Sequence, residues 1–382
     1  MISLIGYYTT QFGELWDKSL FDLVIEAING VLKQTRLSNK QIDAVFFGNM
    51  LAGVLENNLH SPSKIAEILK VNIPIFRAEA ACASFGAAFN LAKTYLEANS
   101  NKNILVVGAE KMTDYSPEET ITGLSAASSG EEQEAGLTFP GLYGMMANYY
   151  LEKYHYVEEN LAYVSVKNHY HGSLNSKAHF RKKISIEDVL SSPYVAFPLK
   201  VLDSSPISDG ASAVILTNDH NMIKKQKYSA VVMASELVTD TISLKERKQI
   251  DEILATKNAA NIAFKKAKIT RGDIGVAEVH DCFSIAEIMA VEDLGFCKKG
   301  EGAKAIKRGE FDFGGRLPVN LSGGLKACGH PVGATGVKQV VELALQLRGE
   351  AGERQVKGAK VGLAHNVGGS GGTAVVHLLK KI

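Results

Sequence analysis

Ala81-Cys82-Ala83-Ser84-Phe85-Gly86 places a cysteine where a helix begins, since Phe85, Ala88, Phe89, Ala92, Tyr95 and Leu96 follow at helical spacing. No charged side chain interrupts that run until Lys93, so the helix is expected to lie buried between two sheets. Working outward, residues 42–48 and 103–108 read as buried strands on either side of it. The second half repeats the order. Residues 273–280 are strand-like, Gly329-His330-Pro331-Val332-Gly333-Ala334-Thr335-Gly336 makes a glycine-rich turn, and a helix follows through Val337, Val340, Val341, Leu343, Ala344 and Leu347. Residues 360–365 then form a strand. Strand, turn, buried helix and strand in one order, twice, predict an internally duplicated, layered α/β fold.

Residues 113–203 break the pattern. They are rich in Tyr, His, Ser and Asn, with local helices over 143–154 and 161–168, and read as an insertion that covers a site. A strand over 208–216 returns to the first half. The expected division is therefore 1–112 plus 204–222 for the first half, 113–203 for the inserted loop domain and 223–382 for the second half.

Lys plus Arg total 42 against 41 Asp plus Glu in 382 residues, so no basic field recommends nucleic acid as a partner. The basic runs Lys177, Arg181, Lys182, Lys183 and Lys224, Lys225, Lys227 read as solvated surface that a phosphorylated ligand could use. Four cysteines without paired spacing argue for free thiols and a reducing compartment. The amino terminus lacks the basic and apolar regions of a signal peptide, and no apolar run approaches the roughly 20 residues of a membrane span. The expected location is the cytoplasm.

Cys82 read alone is a small buried hydrophobe. As a nucleophile it needs help, because a helix N-terminus offers an anion only about 0.3–1 kcal/mol against the 1.4 kcal/mol of one pKa unit. His330, on a turn stiffened by Pro331, is the leading base. Cys282 in Val279-His280-Asp281-Cys282-Phe283-Ser284 supplies a second thiol able to give and take a proton. Ala364-His365-Asn366-Val367-Gly368-Gly369 runs into a turn whose N–H groups could form an oxyanion hole. A rival reading takes His280, Cys282, Cys328 and His330 as zinc ligands, although one intervening residue per pair is shorter than the usual ligand spacing. Cys297 reads as a bystander.

Cys82-Ala83-Ser84, His280-Asp281-Cys282-Phe283, Gly329-His330-Pro331 and His365-Asn366-Val367-Gly368-Gly369, in this order along the chain, resemble the motifs of thiolases. Many thiolases carry Asn-Glu-Ala-Phe where this chain has His280-Asp281-Cys282-Phe283, and a terminal cysteine where it has Asn366. The chain therefore looks like the sterol-carrier-protein-2-type and archaeal acetoacetyl-CoA thiolases. The resemblance implies a layered α-β-α-β-α fold, with Cys82 as nucleophile, His330 as its base, Cys282 as acid/base and His280 near a first oxyanion site. The N–H groups of Cys82 and Gly368 would form a second oxyanion hole. It also implies acyl-CoA and CoA as substrates, no tightly bound cofactor or metal, and a homodimer or homotetramer. A complex with an HMG-CoA-synthase-like enzyme and a zinc-ribbon/OB-fold protein is a further implied partner. In this family the insertion would cover CoA, and His169, His171, His179 and the neighbouring Lys177, Arg181, Lys182 and Lys183 are contact candidates, most of them expected at the surface. Two alternatives stay open: an acyltransferase subunit with a non-CoA acceptor, and an idle acyl-CoA or lipid binder.

Overall fold

The computed structural model describes residues 1–226 and 229–382, so Lys227 of the second basic run lies outside the described residues. The strands are β1 (Ser3–Thr9), β2 (Ala44–Gly48), β3 (Ile75–Ala78), β4 (Asn103–Glu110), β5 (Tyr194–Ala196) and β6 (Leu199–Lys200). They continue with β7 (Gly210–Thr217), β8 (Ala230–Thr239), β9 (Val276–Glu278), β10 (Val361–Gly368) and β11 (Thr373–Lys381). Among the described residues β5 and β6 form a small hairpin, and the rest form one sheet in the order β3-β2-β4-β7-β1-β8-β11-β10-β9.

That order contains the duplication. In the first half β2 and β4 are parallel, β4 meets β7 antiparallel and β7 meets β1 antiparallel. In the second, β9 and β10 are parallel, β10 meets β11 antiparallel and β11 meets β8 antiparallel. The halves join where Ser3 and Leu4 pair with Val231 and Ala230. The counterpart of β3 is reduced to a single parallel bridge, Ala277 to Val319.

The helices Ser84–Ala98 and Thr335–Arg348 touch each other and strands of both halves, so they form the central layer. Phe85, Phe89, Val106, Val214, Val232, Val276, Val337 and Val340 share one core there. The helix Leu20–Thr35 covers the outer side of the first half and Leu254–Ala267 that of the second, which completes the α-β-α-β-α layering. Full burial of the helix at Cys82 holds only for its first two turns. Leu91 is 47% exposed, because the far end of the helix emerges from between the sheets. The helices Phe139–Tyr154 and Glu159–Ser173 of the inserted segment are longer than the sequence reading placed them, and their apolar faces join the second-half core.

Strand ends bring the loops together through glycines. A Cβ on Gly48, at the end of β2, would stand 2.6 Å from Phe85 Cα; one on Gly108, in β4, 2.3 Å from the Gly333 carbonyl oxygen. A Cβ on Gly368, the last residue of β10, would stand 2.3 Å from the Ala80 carbonyl oxygen. Backbone can approach this closely only where no side chain intervenes.

Candidate active site

Cys82 follows Ala81, whose φ of +50° is left-handed and costs a residue with a Cβ roughly 1–2 kcal/mol. Ser84 holds the turn: its hydroxyl donates to the Ala81 carbonyl (2.5 Å) and accepts from Ala80 N–H (3.0 Å). Glu79 adds a carboxylate acceptor for Ala81 N–H at 2.6 Å. The turn sets Cys82, 8% exposed, at the start of the central helix Ser84–Ala98. Burial pushes its thiol up to about 12, and the carboxylate of Glu110 adds to this, against a hydrogen bond from the backbone of Gly369.

His330 enters from the other half. The ligand atoms of Cys82, His280 and His330 all lie within 4.8 Å of one another, and the two imidazoles meet edge to face with centroids 5.2 Å apart. His330 Nδ1 lies 2.6 Å from Thr335 Oγ1, and that hydroxyl donates to the Pro331 carbonyl at 3.1 Å. A hydroxyl has one proton, so Thr335 accepts from His330 Nδ1–H and leaves Nε2 with a free lone pair. Burial and the neighbouring Lys338 ammonium push the imidazole down to about 3, so it is neutral at pH 7. Both central helices start at this site, and their N-terminal dipoles favour negative charge over imidazolium.

His280 holds the opposite tautomer. Asn366 Nδ2 donates to the Cys82 carbonyl at 3.0 Å, which fixes the amide orientation, and the same nitrogen lies 3.3 Å from His280 Nδ1. Nδ1 therefore accepts and Nε2 carries the proton. Among the described residues nothing partners that buried Nε2. Burial and the imidazole of His330 hold His280 well below its ordinary value.

Cys282 is buried beside these groups. Burial and the neighbouring Cys82 push its thiol up, against a hydrogen bond with Tyr143. Asp281 accepts from the N–H groups of Leu325 (2.6 Å) and Lys326 (3.4 Å), so it anchors the short turn leading to His330. Asn168 of the inserted segment bridges Asp281 and Glu287 through one amide nitrogen, at 2.7 Å to each. Glu110 ties the remaining loops together, accepting from Met50, Leu51 and Gly333 N–H and from the Asn49 amide, while burial raises it to about 7.

The backbone of Gly369, one residue past Gly368, approaches the Cys82 sulfur. Other candidates fall away from the site. Cys328 does not join a four-ligand set: its sulfur faces Asn175 Nδ2 at 3.7 Å within the central layer. Cys297 packs at the edge of the second-half core. His169 and His171 are buried and not at the surface, because each ring binds backbone, His169 at the Lys182 carbonyl and His171 at the Asn320 carbonyl. His179 is half-buried against Ser208 Oγ at 3.0 Å, and that oxygen also accepts from His330 N–H at 3.3 Å. Arg181, Lys182 and Lys183 are exposed. Sequence reading missed Thr335, Asn366 and Glu110 as site residues, although their placement beside quoted motifs was a signal. Tyr143 gave none.

A buried thiol beside a neutral imidazole with a free ring nitrogen is an arrangement able to carry out acyl transfer through a cysteine. The family model described as "Thiolase, N-terminal domain" matches residues 2–220, and "Thiolase C-terminal domain-like" matches 237–381. An acetyl-CoA acetyltransferase of Methanothermobacter thermautotrophicus is 47% identical over 382 residues, covering 100% of this chain and 99% of the relative. Human sterol carrier protein 2 is 37% identical over 81% of this chain and 58% of its own length. A solved structure described as "Ltp2-ChsH2(DUF35) aldolase" shares the fold with a TM-score of 0.83 at 21% identity, over 99% of this chain and 97% of that one. The chain belongs to the thiolase family and is an acyltransferase of that type.

Proposed function

We propose that the protein is an acetyl-CoA C-acetyltransferase that cleaves or forms acetoacetyl-CoA through an acetyl thioester on Cys82. The observation that carries this reading is the opposed tautomers at one thiol: His330 with a free Nε2 and His280 with a free Nε2–H. In cleavage, the Cys82 sulfur attacks the 3-keto carbon while its proton passes to His330 Nε2. The tetrahedral oxygen is held by backbone N–H groups at Cys82 and the Gly368-Gly369 turn. Removing one such donor typically costs about 100- to 1,000-fold in rate. Collapse breaks the carbon–carbon bond. The acetyl-CoA enolate takes a hydrogen bond from His280 Nε2–H and a proton from Cys282, whose electron pair stays on sulfur. CoA thiol then attacks acetyl-Cys82, its proton passing to the Cys282 thiolate, and the departing Cys82 sulfur recovers its proton from His330 as a second acetyl-CoA is released. The reverse is a Claisen condensation, and the cycle consumes CoA as substrate and calls for no tightly bound cofactor or metal.

The same reading divides the chain at 1–112 with 204–222, 113–203 and 223–382, places it in the cytoplasm and makes it a homo-oligomer. No helix among the described residues is long and apolar enough to cross a membrane. A second reading makes it one subunit of a complex with HMG-CoA-synthase-like and zinc-ribbon/OB-fold proteins. The fold shared with a DUF35-containing aldolase favours it. Purified protein with acetoacetyl-CoA and CoA tests the first reading. CoA-dependent loss of the ketoacyl enolate absorbance is expected. Turnover only after adding such a partner would favour the second.

A further inference from the structure

The helix Phe139–Tyr154 of the inserted segment sends Tyr143 to the reacting sulfurs, 1% exposed and with its ring 4.8 Å from that of Phe283. Its hydroxyl donates to the Gly369 carbonyl at 3.1 Å, and its side chain neighbours the thiol of Cys282, the residue before Phe283. Gly369 is the residue whose backbone reaches the Cys82 sulfur. Arg247 fixes the next link of that turn, donating to the Ser370 carbonyl at 2.7 Å and its hydroxyl at 3.2 Å. One phenol thus lies beside the second thiol and is bonded to the turn facing the first.

We propose that Tyr143 is a positioning residue for Cys282, holding its thiol in one orientation and stabilising its thiolate, and so sets the rate of the carbon-proton step. The proposal rests on the thiolase reading above. With Cys282 protonated, the phenol proton lies on the Gly369 carbonyl and the phenol oxygen accepts from Cys282 S–H. When Cys282 gives its proton to the enolate carbon, the S–H bond breaks, its electron pair stays on sulfur and a C–H bond forms. The phenol O–H then turns from the carbonyl to the thiolate and keeps its own proton throughout. In the reverse direction the thiolate takes the α-proton and the phenol turns back. A carbonyl acceptor and a sulfur acceptor on one hydroxyl make this two-position donor possible. A hydrogen bond to an ionised partner is roughly twice as strong as a neutral one, which favours the second position only while Cys282 is charged.

The test uses acetyl-CoA deuterated at the methyl group, in ordinary water. Intact-protein mass follows acetylation of Cys82, and mass of the recovered acetyl-CoA follows washout of deuterium through Cys282. In Tyr143→Phe the ratio of washout to acetylation should fall about 10- to 100-fold, the loss expected for a hydrogen bond to a charged group. A purely structural role would lower both rates together and leave the ratio unchanged, which would overturn the proposal. 3-Fluorotyrosine at position 143 keeps the ring and hydroxyl, and should hold the ratio at or above that of the wild type. A ratio as low as in the Phe variant would also overturn it. Absence of Cys82 acetylation in the wild type would instead remove the thiolase reading, and this proposal with it.

Discussion

Thr335 decides which nitrogen of His330 meets the cysteine. Its only proton goes to the Pro331 carbonyl, so its oxygen accepts from His330 Nδ1–H. Thr335→Val keeps the shape and removes that acceptor. The imidazole then loses its tautomer preference, and kcat should fall about 10- to 100-fold with little change in KM, as when the residue orienting a base is lost. Steady-state kinetics at pH 7 check this, and an unchanged kcat would contradict it. The four residues Cys82, His280, Cys282 and His330 were legible in the sequence because their types are reactive and their neighbours are glycines or known motif partners. Thr335 and Asn366 stood inside the quoted stretches yet went unread. A hydroxyl or amide declares its role only through the proton it commits, and that depends on the fold. Tyr143 sits 61 positions from Cys82 in the numbering, in a segment with no repeat partner, so nothing local pointed to it.

At the scale of elements, the site depends on strand ends that let foreign backbone through. Gly108 in β4 faces the Gly333 carbonyl, part of the turn that carries His330, and an added Cβ would meet that oxygen at 2.3 Å. Backbone cannot swing aside like a side-chain tip. Gly108→Ala should destabilise the fold by roughly 1–3 kcal/mol, the usual cost of overpacking, and lower activity by more than the lost folded fraction explains. Urea unfolding alongside specific activity measures both. Full stability and activity in this variant would show that the approach of the two backbones is not needed. The duplicated order of strands and helices was readable because apolar periodicity is a local property. The single sheet joining both halves was not, since it depends on Ser3 and Leu4 pairing with residues more than 200 positions away. The burial of His169 and His171 was likewise hidden, because the carbonyls that satisfy them belong to other segments.

The whole molecule carries an unusual set of buried imidazoles. Burial pushes His169 down to about 4 and His171, His330, His365 and His377 to about 3. Below the ordinary value of 6.5 the unfolded chain takes up protons that the folded one refuses, so stability rises with pH through this window. Their contribution is full above 6.5 and is lost as pH falls towards 3. Glu110 and Glu278, raised by burial to about 7, and Asp293, raised to about 6, act in the opposite sense. They add stability at low pH that is lost as pH rises through those values. His179 and His280 are also held down, and Glu56, Asp281 and Asp312 also held up. Seven histidines thus outnumber six carboxyls, so the unfolding midpoint in urea should drop as pH is lowered from 6.5 to 5. A midpoint that rises on acidification would contradict the burial of these rings.

The central claim is that Cys82 carries the acyl group. Incubation with acetyl-CoA, brief removal of CoA and intact-protein mass followed by peptide mapping test it directly. The account predicts one added acetyl group, on the peptide containing Cys82, lost on addition of CoA and absent in Cys82→Ser. Acetyl found on Cys282 or on no cysteine, or label that persists in Cys82→Ser, would contradict it.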